Sequence, residues 1–273
     1  MDILETIVAN KRREVARQKE AVPLDFLLDS GAQRLIAPVC SMKRSLEASP
    51  SGIIAEFKRR SPSKGWLYPA AKVEDVVPAY EKGGASACSI LTDSDFFGGS
   101  FGDLRRARSL VKLPLLRKDF IIDEYQLYQA RVLGADAVLL IAASLTGKEC
   151  KNFAAIAHQL DMEVLLEVHK EEELQCLNEH VDMLGVNNRN LGTFNTDINN
   201  SFRMIELMKV EAGVRNDAPL FVSESGISDA NVIKQLRDAG FRGFLVGETF
   251  MKTKSPGEML AAFIGKIEGN KTE

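Results

Sequence analysis

The segment IIAEFKRRSPSKGWLYPAAKVEDVVPAYEKGGASACSIL, residues 53–91, carries the pattern that decides the fold. It opens on a short apolar run, Ile53–Phe57, crosses a polar loop and a longer amphipathic stretch, and returns to a second run, Ala85–Leu91, just after Gly83 and Gly84 begin to break the pattern. Runs this short and apolar read as strands buried on both faces of a parallel sheet, and the stretch between them suits a crossover helix. The glycine pair suits a helix C-cap that leads into the next strand.

The same unit recurs to the end of the chain. Further runs lie at Leu113–Arg117, Ala137–Ile141, Glu163–Val168, Met183–Val186, Leu220–Val222 and Gly243–Val246, with Gly134 and Gly240 again just before a run. Eight such units point to an α/β fold, a (β/α)8 TIM barrel. A doubly wound open sheet shows the same alternation, and it is the count that favours closure. Upstream, Ile3, Leu4, Ile7, Val8 and Val15 recur at near-helical spacing, while Lys11, Arg12, Arg13 and Arg17 take the remaining positions. This predicts an amphipathic first helix, with Asp2 and Glu5 as its capping signal. Pro23, Gly31 and Pro38 then punctuate a polar connection that holds a second short helix. The expected organisation is a single domain over 1–273, with an N-terminal helical extension at 1–48 and the barrel at 49–268.

Composition narrows the function classes. A 45% hydrophobic and 27% charged chain of 273 residues is ordinary globular usage. A net charge of −3 gives no global reason to expect nucleic acid or an anionic membrane, so any anion site must be local. Cys40, Cys88, Cys150 and Cys176 are scattered and form no C-x-x-C pair, which argues against a zinc cage or redox motif. His158, His169 and His180 are too far apart for a metal pair on one helix and read as surface residues. The nucleotide signatures G-x-x-x-x-G-K-[ST] and G-x-G-x-x-G are absent. No cofactor and no metal are therefore expected, nor a nucleic-acid or membrane partner. The first residues lack the apolar core of a signal peptide, so a cytoplasmic monomer is the expectation.

In such a barrel the active site is built at the carboxyl ends of the strands. Two-residue alternation puts Glu56 and Lys58 on one face of the first strand and Phe57 on the other. The same reading places Lys118 and Phe120 after the third strand, Glu167 at the end of the fifth, and Asn187 with Arg189 at the end of the sixth. Each of these, taken singly, reads as a solvated loop residue or a structural ion pair. Together they are acid/base candidates, because charged groups inside a barrel are costly unless paired or used. The loops Ser223-Glu224-Ser225-Gly226-Ile227-Ser228 and Leu245-Val246-Gly247-Glu248-Thr249 read as a phosphate cradle. Glycine lets backbone N–H groups approach an anion, and barrels commonly bind phosphate after strands seven and eight. Asp95 to Gly102, rich in Phe and Gly, reads as a mobile loop whose Phe97 covers an aromatic substrate or tucks into the core.

These residues resemble one family, the indole-3-glycerol phosphate synthases. Ile54-Ala-Glu-Phe-Lys-Arg-Arg-Ser-Pro-Ser-Lys-Gly65 is similar to the family's first strand and loop, and Leu116-Arg-Lys-Asp-Phe-Ile-Ile-Asp123 to its third. Leu165-Leu-Glu-Val-His169, Gly185-Val-Asn-Asn-Arg-Asn-Leu191, Ser223-Glu-Ser-Gly-Ile227 and Val246-Gly-Glu248 resemble the later ones, and Ile7 to Glu14 the first helix. Asn188 stands where members often have Ser, and Glu248 where some have Ser, which leaves phosphate there to the backbone.

The resemblance implies ring closure of 1-(2-carboxyphenylamino)-1-deoxyribulose 5-phosphate with loss of carbon dioxide and water. It implies Lys118 as the acid, Glu167 as the base, Lys58 as a second acid or a clamp on the carboxylate, and Glu56 orienting the lysines. Asn187 and Arg189 would steady the substrate, with Ser61 near its carboxylate, Phe97 and Phe120 near its ring, Glu224 and Ser225 among its other contacts, and Ser225, Gly226, Gly247 and Glu248 around its phosphate. The first helix would cross the catalytic mouth, its basic face attracting the anionic substrate. Association with other enzymes of the tryptophan pathway stays open. A phosphoribosylanthranilate isomerase would need a Cys and Asp pair, and the four cysteines are poorly placed for one. A phosphosugar-binding barrel without catalysis is the remaining alternative.

Overall fold

The computed structural model describes residues 3–190, 195–213 and 218–269. Asp2, read above as a cap, and Leu191, the end of one matched motif, lie outside the described residues. Three helices precede the sheet: α1 (Ile3–Ala21), α2 (Leu24–Leu35) and α3 (Met42–Ala48). The barrel strands are β1 (Ile53–Phe57), β2 (Ala87–Leu91), β3 (Leu115–Lys118), β4 (Ala137–Ile141), β5 (Glu163–Val168), β6 (Met183–Asn187), β7 (Leu220–Glu224) and β8 (Gly243–Val246). They close into one parallel ring in sequence order, with β8 pairing back onto β1.

The crossovers are α4 (Val73–Lys82), α5 (Ser94–Phe97) with α6 (Phe101–Leu110), α7 (Tyr125–Leu133), α8 (Gly147–Gln159), α9 (Asn199–Ala212), α10 (Ala230–Ala239), and α11 (Glu248–Met251) with α12 (Pro256–Glu268). Between β5 and β6 the link is a 3-10 helix, Glu171–Cys176. Gly134 ends α7 at φ 94°, and a Cβ there would also press on the Arg108 side chain.

The strand ends differ from the apolar runs for physical reasons. β2 starts at Ala87, because the Ala85 N–H is still bonded to the Tyr80 carbonyl and closes α4. β3 starts after Pro114, which has no N–H for the ladder. β6 and β7 run past their apolar residues, pairing Asn187 with Glu224 at the mouth. Hydrophobicity alone truncates these strands where their side chains turn to chemistry.

Alternation sorts each strand into two apolar layers. Phe57, Ile90, Leu140 and Leu166 face outward against Val77, Leu104, Ile233 and Leu260 of the helices. Ile54, Leu116, Leu139, Leu165 and Leu245 fill the barrel, which Met42 and Leu46 of α3 plug from below. Each such side chain contributes about 1.5–3 kcal/mol on burial. The plug is held by Glu163 at the start of β5, whose carboxylate accepts the Met42 and Lys43 N–H groups at 2.7 and 2.9 Å. Those are among the N–H groups that a helix start leaves unpaired.

Leu4, Ile7 and Val8 of α1 roof the same inner cluster from above. Lys11 departs from its sequence reading, which grouped it with the polar face. It is 1% exposed, with Nζ at 2.9 Å from both Asp93 and Asp119 and 2.7 Å from Glu14. Its position four residues after Ile7 places it on the apolar stripe, so the spacing carried the signal.

Candidate active site

A cavity of about 360 Å³ opens at the carboxyl ends of the strands, under α1. Glu56, Lys58, Lys118, Glu167 and Asn187 line it, as do Ser61, Phe97, Phe120, Arg189, Ser225, Gly226, Gly247 and Glu248. Glu224 does not reach the surface of the cavity and stands behind Lys118. The roof is the apolar side of α1, through Ile3, Leu4 and Ile7, which corrects the expectation of a basic face there.

The centre of the site is Lys118. Its Nζ donates to Glu224 Oε2 at 2.7 Å and to Glu167 Oε2 at 3.0 Å. Burial alone would strip its proton, but the carboxylates of Glu167, Glu224 and Glu56 more than reverse this and hold the ammonium above its ordinary range. Asn187 Nδ2 donates to Glu167 Oε1 at 3.1 Å. Burial would push the Glu167 carboxyl up, yet Lys118 first, then His169 and Asn187, bring it down to about 2. Glu224 moves the other way, raised by burial and by the Glu167 charge beyond what Lys118 offsets. Lys58 pairs with Glu56 across the first strand, as the alternation predicts. A Cβ on Gly247 would collide with the Glu56 carboxylate, so the residue after β8 must be glycine for that pair to sit where it does.

One wall is aromatic. The Phe97 and Phe120 rings lie 6.1 Å apart, tilted by 36°. Phe97 belongs to α5, whose N-cap Asp93 accepts the Phe96 N–H at 2.8 Å, and the Phe120 N–H bonds to Asp119 at 2.9 Å. Asp93 and Asp119 are the two aspartates that Lys11 joins. Ser61 lies in a hairpin, Arg60–Ser61 with Gly65–Trp66, that folds over the β1 end. The Ser63 hydroxyl in that hairpin accepts from Arg189.

At the far end, Ser225, Gly226, Gly247 and the start of α11 form the wall read from sequence as a phosphate cradle. Thr249 Oγ1 ties the two loops by donating to the Ile227 carbonyl at 2.9 Å. Ser223 does not take part: it is buried and bonded to Asn188 and Ser201. The Asn188 amide also donates to the Glu224 and Ser225 carbonyls at 2.9 and 3.2 Å, making it the brace of the β7 loop. Glu248 contacts Lys252 at 3.0 Å and Arg189 at 3.5 Å, and despite burial these cations hold its carboxyl below the usual range.

The sequence reading missed three side chains here. Lys252 lines the same end of the cavity four residues after Glu248, one helical turn away. Ser63 lies in a quoted motif that gave no reason to single it out. His169 was read as a surface residue, but its side chain is 14% exposed and Nε2 lies 3.4 Å from Glu167 Oε1. Two positions after Glu167 it shares that residue's phase on the strand, which was the available signal. The Cys88 thiol is buried in the outer layer, where desolvation and the Glu56 charge push it well above its ordinary range. It therefore offers no acid to the cavity. No described helix is long and apolar enough to cross a membrane.

Residues 4–263 match the family model described as Indole-3-glycerol phosphate synthase. A relative of that name from Bacteroides thetaiotaomicron is 58% identical, with 98% of this chain and 99% of the relative covered. Relatives of the same name from Polaromonas naphthalenivorans and Neisseria meningitidis are 41% and 42% identical over 97% of this chain and 99% of theirs. A structure of the tryptophan synthase complex of Pyrococcus furiosus shares the fold at a TM-score of 0.57 and 14% identity, covering 81% of this chain and 98% of that one.

Proposed function

Given that the chain belongs to the indole-3-glycerol phosphate synthase family, we propose that Lys118 and Glu167 are the acid and base of its reaction. The protein is a carboxy-lyase of tryptophan biosynthesis, converting 1-(2-carboxyphenylamino)-1-deoxyribulose 5-phosphate to indole-3-glycerol phosphate with loss of carbon dioxide and water. The observation that carries the assignment of roles is the Lys118 ammonium held by two buried carboxylates beside an aromatic wall.

The ring carbon that bears the carboxylate attacks the ketone, and negative charge develops on the ketone oxygen. Lys118 protonates that oxygen as the carbon–carbon bond forms, which lowers the barrier by neutralising the charge where it appears. The cation left on the ring system draws the electron pair of the departing carboxylate, so carbon dioxide leaves and aromaticity returns. In the last step Glu167 removes a proton from the new five-membered ring while an ammonium protonates the leaving hydroxyl. Lys58 takes that part, and its contact with Glu56 keeps it aimed. The two lysines share one cluster with three carboxylates, so they exchange the acid role between steps.

The substrate ring packs against the wall formed by Phe97 and Phe120, and the apolar face of α1 excludes water above it. The phosphate meets the backbone of the Gly226 and Gly247 loops, with Arg189 and Lys252 beside it. Purified protein incubated with the substrate should generate indole fluorescence, and Lys118→Ala should lose about 1000-fold or more in kcat while remaining folded. A Lys118→Ala protein with near-normal turnover rejects the assignment.

A further inference from the structure

We propose that His169, aligned by Glu173, is a positioning residue that decides which of the two carboxylates bonded to Lys118 stays ionised, keeping Glu167 as the base and leaving a proton on Glu224. The inference rests on the roles given above to Lys118 and Glu167.

Glu167 and Glu224, both buried, accept from one nitrogen at 3.0 and 2.7 Å. Around the ammonium groups of Lys58 and Lys118 and the His169 ring stand four carboxylates, Glu56, Glu167, Glu173 and Glu224, one more than the cations even with the ring charged. An excess of buried negative charge retains a proton, and the open question is where it sits. The surroundings of the two carboxylates are unequal. Glu167 also accepts from Asn187 at 3.1 Å and faces His169 Nε2 at 3.4 Å. The second oxygen of Glu224 has no hydrogen-bond partner in the structure and packs against Gly185.

The imidazole is fixed from behind. Glu173, in the 3-10 helix after β5, accepts the His169 backbone N–H at 2.7 Å and faces Nδ1 at 3.3 Å. That contact puts a hydrogen on Nδ1 and turns Nε2 to Glu167. The charged groups around the ring are Glu167 from its own strand, Glu173 from the 3-10 helix and Glu224 from β7, with Lys118 of β3 beyond Glu167. The element on the remaining side, α9, contributes the neutral Asn200, bonded to the His169 carbonyl at 3.1 Å. Burial opposes a charge on the ring, but Glu173, Glu167 and Glu224 outweigh it and favour the imidazolium. A cation against Glu167 disfavours the shared proton there and sends it to Glu224.

The test is the pH profile of kcat from about pH 5 to about pH 9 for the wild type, His169→Asn, Glu224→Gln and the double variant. In the wild type the Glu167 carboxyl, held at about 2, puts the acidic limb below this range, and in His169→Asn the proton redistributes to Glu167 and the limb should enter the range. In the Glu224→Gln background no second carboxylate bonded to Lys118 supplies the shared proton, and adding His169→Asn should move the limb by less. A merely structural role for His169 lowers activity at every pH equally and does not depend on Glu224. Glu173→Gln keeps the ring and removes the charge behind it, so it should give a smaller shift in the same direction. It decides the matter if His169→Asn fails to fold. Superposable profiles for the folded variants overturn the inference. Glu167→Gln, run alongside, should be inactive. If it turns over normally, the assignment of the base fails and the inference with it.

Discussion

The Lys11 ammonium lies 2.9 Å from Asp119 Oδ1, joining the first helix to the loop after β3 with both side chains at or near zero exposure. Asp93, the cap of α5, meets the same nitrogen at 2.9 Å. Removing the cation strands two buried carboxylates, which is the expensive way to break an ion pair. Lys11→Met should therefore cost about 3–5 kcal/mol in a urea titration. Because the two aspartates hold the loop ends that carry Phe97 and Phe120, KM should also rise, by about three- to ten-fold, more than kcat falls. Equal stability of variant and parent would show the clamp to be idle.

Asp119 makes the same clamp sensitive to acid. Burial would raise its carboxyl, but Lys11 and Arg117 bring it from 3.8 down to about 2 in the fold. A depressed carboxyl contributes stability that is complete above its unfolded pKa and is lost as pH falls through the folded one. The window is thus from about pH 4 to about pH 2, and the loss is about 2 kcal/mol. Urea midpoints measured down through that range should fall less steeply in Lys11→Met, where the shift that drives the loss has shrunk.

The barrel and most of the site were legible in the sequence, and what was missed has a common cause. Eight short apolar runs suffice for the barrel because parallel strands are buried on both faces, and residues such as Glu56 and Lys118 follow once the catalytic face is known. Lys11 and His169 were read as solvent-facing because charge was taken as a sign of exposure. Both lie in phase with inward-facing neighbours, Ile7 and Glu167, and periodicity is the better guide where a charged residue has partners from distant segments. Those partners, Asp93 and Asp119 for one and Glu173 for the other, are contacts that a local pattern does not reveal. Ser223 erred in the opposite direction: it shares a motif with Ser225 but is held outside the cavity by Asn188.

At the end of the cavity proposed to take the phosphate, Glu248 and Lys252 lie 3.0 Å apart on one helical turn. A carboxylate held in its charged form at a phosphate site is unfavourable to the ligand, so under the proposed function its use would be to hold Lys252 and Arg189 in place until the phosphate arrives. Lys252→Ala should raise KM about ten-fold and leave kcat within about two-fold, because the group is remote from the reacting carbons. Inhibition by inorganic phosphate should weaken in parallel. A large fall in kcat at unchanged KM would instead place Lys252 in the chemistry.

Gly247 sits against Glu56, and a methyl group at that position would overlap the carboxylate. Strand β8 is paired to β1 through Val246 and Ala55, so the backbone there has little room to retreat, and the side chain must move. Gly247→Ala should therefore displace Glu56 from Lys58 and narrow the entrance to the phosphate wall with no loss of secondary structure. Steady-state kinetics should show kcat down by about 100-fold and KM raised, because a displacement of about 1 Å in a positioned group costs that much in rate. The double variant Gly247→Ala with Glu56→Ala separates the two effects. Once the colliding carboxylate is absent, the methyl group should add little further loss in kcat, and a fully additive loss would mean that the glycine serves the phosphate alone.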